Sequence, residues 1–263
     1  MSVTRVRVRR ERPTALAWAI ALCVTMLVVY VLTLSAARPD VVESVSAAPR
    51  VTSEIELPPL EGWCVTMAQC DAPEEARLQA AAYSARGAAG YVARLEAAWQ
   101  VLGAVYDSKG EAERIAERLS REAGLEAGVI HLEADRLKLR ITASEAQIEA
   151  IAGADATLRE QARQLGQIAL QLDRGELGGD AARTLCAVAT TEAEQAAGAL
   201  ESLPGENRLC AALAEQLRSL AAMQRTLADS RSEAGATLSG MARCAQIAGF
   251  LGQWEFQRGL KGQ

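Results

Sequence analysis

The sequence is short of aromatic residues: two Phe, four Tyr and four Trp in 263 positions. A chain with so few rings builds its core from aliphatic side chains. It has a single histidine, His131. A Ser-His-Asp arrangement would need that residue as its base, yet it sits in an apolar, strand-like stretch where a structural histidine is the plainer reading. None of the six cysteines, at 23, 64, 70, 186, 210 and 244, forms a CxxC pair, and no Cys/His cluster offers zinc-ligand spacing. Buried free thiols are favoured over disulfides for those outside the apolar N-terminal run. The sequence has no HExxH, GxSxG or Gly-rich phosphate loop. Paired carboxylates can cleave glycans, but those here, such as Glu111, Glu113 and Glu117, fall at the spacing of a solvated helix face. The reading is a non-enzymatic protein with no catalytic residue, no metal and no cofactor.

What is present begins with an uncharged run of 24 residues, 14–37, bounded by Arg12 and Arg38. A membrane-spanning helix needs about 20 mostly apolar residues. Trp18 and Tyr30 lie towards its ends, where amphipathic rings favour the interface. Ser35-Ala36-Ala37 would pass as a signal-peptidase site, but a signal h-region has about 7–15 apolar residues, and this run is longer. Arg5, Arg7, Arg9, Arg10 and Arg12 precede it, opposed only by Glu11. Positive charge stays cytoplasmic. The expectation is a single-pass protein of the cell membrane, N-terminus inside, with its remaining domains extracytoplasmic. Of 28 basic and 33 acidic residues, that leaves 23 and 32 beyond the span, a net of −9. An acidic exterior argues against nucleic acid as partner and against anionic lipid headgroups.

Beyond the span the pattern changes three times. Residues 38–61 carry Pro39, Pro49, Pro58 and Pro59 and read as an extended linker. Between 62 and 143 short alternating runs interleave with two helices. Strands are expected at 63–68, 91–95, 99–106 and 129–132, with 137–142 as a fifth. The first helix starts at Asp71-Ala72-Pro73-Glu74-Glu75, where Asp caps, Pro suits the first turn and acids favour the positive end of the dipole. The second starts at Ser108, three residues before Glu111, the spacing of a capping box. Two helices on one face of a small sheet would leave the other face open. From 144 to 263 nothing reads as a strand. Amphipathic helices are expected at 145–173, 180–203, 207–229 and 232–257, with short loops that suggest antiparallel neighbours; a coiled coil formed by dimerisation is the alternative. The fold class is α+β: a tail at 1–13, the transmembrane helix at 14–37, the linker at 38–61, a mixed domain at 62–143 and a helical domain at 144–263. The helical domain would bind a protein partner or self-associate.

The segment from Trp63 to Leu132 resembles a SPOR domain, the sporulation-related repeat of bacterial envelope proteins. The resemblance rests on Val65-Thr66-Met67-Ala68-Gln69-Cys70 followed by Glu75-Ala76. It rests also on Trp99-Gln100-Val101-Leu102-Gly103-Ala104-Val105-Tyr106 followed by Asp107-Ser108-Lys109-Gly110-Glu111-Ala112. It implies a βαββαβ fold whose helix-free sheet face binds the glycan strands of peptidoglycan, in sporulation or cell division. The chain departs from the family pattern at Thr66 (Gln in the family), Ala68 (Gly), Cys70 (aromatic), Ala104 (Gly) and Val105 (Pro). A module with those departures serves alternatively as a scaffold that docks protein partners.

Strand alternation directs Val65 and Met67 towards the helices, and Thr66 outward. Gln69 follows at the strand end, and Gln100 and Leu102 point outward from the second half. Trp99 shares parity with Val101 and reads first as core, second as a sugar platform. Thr66, Gln69, Trp99, Gln100 and Leu102 are the glycan-binding candidates, set against the plainer reading of ordinary strand residues.

Overall fold

The computed structural model describes residues 49–261. The tail at 1–13, the span at 14–37 and most of the linker lie outside the described residues. Among the described residues no helix is long and apolar enough to cross a membrane.

Among the described residues six strands and six helices follow in order. They are β1 (Arg50–Leu57), β2 (Leu60–Cys70), α1 (Pro73–Ser84), β3 (Tyr91–Leu95), β4 (Ala98–Tyr106), α2 (Lys109–Ala123), β5 (Gly128–Ala134), β6 (Leu137–Ser144), α3 (Glu145–Asp173), α4 (Gly179–Ser202), α5 (Arg208–Ala228) and α6 (Gly235–Lys261). The class is α+β, with two small antiparallel sheets. The larger sheet has the order β3-β4-β2-β5, and β2, α1, β3, β4, α2 and β5 form a βαββαβ unit.

The linker expected at 38–61 is not a linker over its described part. Residues 50–57 form β1, paired along its length with β6, and β2 begins at Leu60 rather than Trp63. The alternation that makes the strand was present: Ile55 and Leu57 are buried, while Glu54 and Glu56 face solvent and pair diagonally with Lys138 and Arg136. The β1–β6 pairing ends at Leu57↔Leu137, and the β2–β5 pairing begins at Leu60↔Ala134 in the same register. One long ribbon is therefore interrupted where Pro58 and Pro59 supply no N–H to the ladder. Their carbonyls are taken up from the helical side. Arg159 donates to Pro58 O at 3.0 Å and to Pro59 O at 3.2 Å, and Gln257 donates to Pro58 O at 3.1 Å.

Between β2 and β4 two irregularities cancel. Gly103 has no partner on β2 and Met67 none on β4, so the register is regained at Ala68↔Val101. Each is an extra residue in one strand, a bulge. The extra residue turns Ala68 towards the helices, the side opposite to that given by strict alternation.

The helical part is an antiparallel four-helix bundle within the chain. Helices α3 and α6 run antiparallel, tied by Ser239 to Ala169 O, by Gln253 to Asp155 O and by Arg243 to Asp173 at 2.6 Å. Helices α4 and α5 also run antiparallel, with Arg218 paired to Glu201 and Arg225 to Glu194. The core interleaves Leu158, Leu165 and Leu172 of α3 and Leu213, Leu217 and Leu227 of α5 with the alanine ridge Ala182, Ala193 and Ala197 of α4. Small residues on one helix let its neighbour approach closely. Ser144 and Gln147 form a reciprocal capping box at the start of α3, at 3.2 Å each way. The box expected at Ser108 is absent, because the Ser108 side chain makes no cap bond.

The boundary expected at 143/144 does not separate two cores. Residues 49–261 pack as one compact unit, because α6 presents one side to the bundle core and another to the larger sheet.

Candidate functional site: the covered face of the sheet

One face of the sheet is covered by α1 and α2. Both present alanines four residues apart, Ala76 and Ala80 on α1 and Ala112 and Ala116 on α2, against Val65, Met67 and Val101. This is the arrangement that the local sequence calls for: the period of a helix places i and i+4 on one face.

The opposite face, where glycan binding was expected, is occupied by α6. Cys64, Leu102, Val105 and Leu132 of the sheet share one core with Ile247, Phe250, Leu251 and Trp254 of α6. The approach is close enough that a methyl group built on Gly62 would overlap the Phe250 ring. Farther along, one built on Gly240 would overlap the backbone carbonyls of Gly87 and Ala88. Polar contacts border the seam. Trp254 Nε1 donates to Glu133 O at 2.9 Å, Gln246 Nε2 donates to Val105 O at 3.2 Å, and Lys261 pairs with Asp135 at 2.7 Å. Burial in this seam pushes the Cys64 thiol up to about 12, and the thiolate is correspondingly disfavoured.

The five candidate residues do not form one open surface. Leu102 lies on the expected face and is fully buried beneath α6. Thr66 is buried, and its Oγ1 accepts from Gly128 N at 3.2 Å. Gln100 is buried and donates to Gln69 Oε1 at 3.2 Å, while Gln69 is exposed. Trp99 packs with the α1 side, on the face of Val101. The structure thus brings Gln69 and Gln100 together at the strand ends and places the other three in cores or in a bond to the neighbouring strand.

Beside the seam a cleft of about 390 Å³ opens between the end of β4, α3 and α6. Its three arginines are each engaged: Arg159 with Asp155 at 2.8 Å, Arg163 with Glu160 at 2.5 Å, and Arg243 with Asp173. Arg243 also donates to Tyr106 Oη at 3.3 Å. His131 lies elsewhere, stacked on Trp63 at 4.0 Å between ring centroids, with Nε2 3.0 Å from Glu61 Oε1. Among the described residues no group of three or more His, Cys, Asp and Glu is placed to hold a metal ion, and the five cysteines are free. The covered face is a packing surface: apolar side chains of α6 seated on the sheet and bordered by hydrogen bonds.

Sequence reasoning missed α6 as the cover. The signal was there in the helix itself. Leu238, Ala242 and Ala245 form one buried stripe, and Ile247, Phe250, Leu251 and Trp254 form a second. A helix with apolar residues on more than one side has more than one partner. Compared with known proteins, the chain matches no family model, no curated protein and no solved structure.

Proposed function

We propose that this chain is a membrane-tethered, non-enzymatic interaction scaffold of the bacterial envelope, acting in sporulation or cell division. In this reading its SPOR-like βαββαβ module docks protein rather than glycan, and the first protein segment it docks is its own α6. The observation that carries the reading is the occupied face: Leu102, Val105 and Leu132 lie beneath Phe250 and Trp254. A sugar chain is recognised by polar groups set beside exposed aromatic surface, and here the aromatic residues come from the chain itself. The uncharged run at 14–37 and the arginines before it support the tether and its orientation.

Co-sedimentation of residues 49–263 with purified peptidoglycan sacculi tests the reading, with and without amidase removal of the stem peptides. The scaffold reading expects the protein in the supernatant in both cases. Pelleting that rises after stripping would restore glycan binding as the function and would direct mutagenesis to Gln69 and Gln100.

A further inference from the structure

The βαββαβ unit, residues 60–134, is an insertion into a hairpin arm. The chain enters it from β1 and leaves it into β6, and these two crossings lie side by side: Leu57 pairs with Leu137, and Leu60 pairs with Ala134. All covalent connection between the unit and the bundle therefore passes through one place, Pro58-Pro59 opposite Asp135-Arg136. No ladder hydrogen bond spans that break. Its carbonyls are pinned by Arg159 and Gln257, and Asp135 is held by Lys261. Pins at a break in a ladder make a pivot.

Beyond the pivot the contact with α6 is close at Gly62 and at Gly240 but open along one side. The cleft of about 390 Å³ lies along one side of it. Gln246 Oε1 is buried in the seam without a hydrogen-bond partner, and Gln257 Oε1 is in the same condition at the pivot. Unpaired buried acceptors weaken the state that buries them. Helix α6 also carries five glycines, at 235, 240, 249, 252 and 259, where α3 and α4 hold two each and α5 none. Glycine lowers helix stability relative to alanine.

We propose that the βαββαβ unit is hinged at Pro58-Pro59 and Asp135-Arg136 and swings off α6 as a body, uncovering the face that carries Cys64, Leu102 and Leu132. The covered face is then the closed state of a two-state device. The unit's own helix-side core, Val65 and Val101 against α1 and α2, is retained in both states.

The cysteines report on the swing without any introduced probe. Cys64 is buried in the seam and Cys186 in the bundle core. The full-length chain is treated with iodoacetamide under native conditions, modification at each cysteine is followed by peptide mass spectrometry, and each rate is divided by its rate in denaturant. Amide exchange in the β2–β4 ladder is followed in parallel. The hinge predicts that Cys64 reacts at least about tenfold faster than Cys186 and ahead of exchange in the ladder. It predicts a further rise of about tenfold at Cys64 in Gly62→Ala, whose added methyl group meets the Phe250 ring, with Cys186 unchanged. If Cys64 reacts no faster than Cys186, or only in step with the ladder amides, the face is exposed by unfolding alone and the hinge is wrong. The wild-type comparison decides this even if Gly62→Ala does not fold.

Discussion

The two faces of the larger sheet are covered by different parts of the chain and by different kinds of side chain. On one face, α1 and α2 lie within a few residues of the strands they cover, and they contribute alanines. On the other, α6 lies more than a hundred residues beyond the last strand of the sheet and contributes Ile247, Phe250, Leu251 and Trp254. The first cover is a close, small-residue contact that local sequence spacing dictates. The second is a contact of large side chains that only the tertiary fold brings together. A βαββαβ unit can thus keep its element order while the use of its free face changes with what the rest of the chain brings to it.

The largest expected effect comes from removing a ring on the α6 side. Phe250→Ala takes a nearly buried side chain out of the seam and leaves a cavity, at a cost of about 3–5 kcal/mol. Denaturant unfolding of residues 49–263 measures it, and a loss below about 1 kcal/mol would mean that α6 is a loose cover. A pair of glycine substitutions sharpens the contrast. Gly62→Ala forces a methyl group against the Phe250 ring and should cost about 1–3 kcal/mol, as overpacking does. Gly103→Ala meets the end of the flexible Met67 side chain on the other face, whose thioether can move, so its cost should be smaller. The reverse order in a thermal melt would contradict the assignment of the faces. Ser144→Ala removes the cap that starts the bundle and should cost about 1 kcal/mol, whereas Ser108→Ala, which loses no cap bond, should be close to neutral. The smallest effect is expected at the exposed α4–α5 pairs: Glu194→Ala should change stability by about 0.2–1 kcal/mol, and the change should shrink in high salt.

Much of the architecture is legible in residue spacing, and the exceptions have physical causes. The βαββαβ order and the four later helices follow from alternation, caps and glycine breaks. β1 was hidden by its neighbours. Pro49, Pro58 and Pro59 read as linker, although Val51, Ser53, Ile55 and Leu57 alternate with Thr52, Glu54 and Glu56 as a half-buried strand should. The strict alternation of residues 137–142 already required a partner strand, and β1 supplies it. Ser108 and Ser144 show why capping boxes resist sequence reading. Both stand three residues before a Glu or Gln, but the box forms only at Ser144, where the Gln147 amide is also fixed by the carbonyls of Pro204 and Gly205. The orientation of Ala68 escaped simple parity because the bulges at Met67 and Gly103 are set by the pairing of two strands, which neither strand encodes alone. The candidate site was legible as a face and not as a surface: Leu102 points where alternation places it, and a distant helix covers it.

The close approach of Gly62 and Phe250 tests the covered face most directly. In residues 49–263, nuclear Overhauser contacts should join the Gly62 Hα protons to the Phe250 ring. The Gly62 Hα resonances should also be displaced by the ring current, and the displacement should vanish in Phe250→Leu. Absent contacts, with Gly62 Hα at ordinary strand positions in both proteins, would mean that α6 does not lie on the sheet and that the face is open.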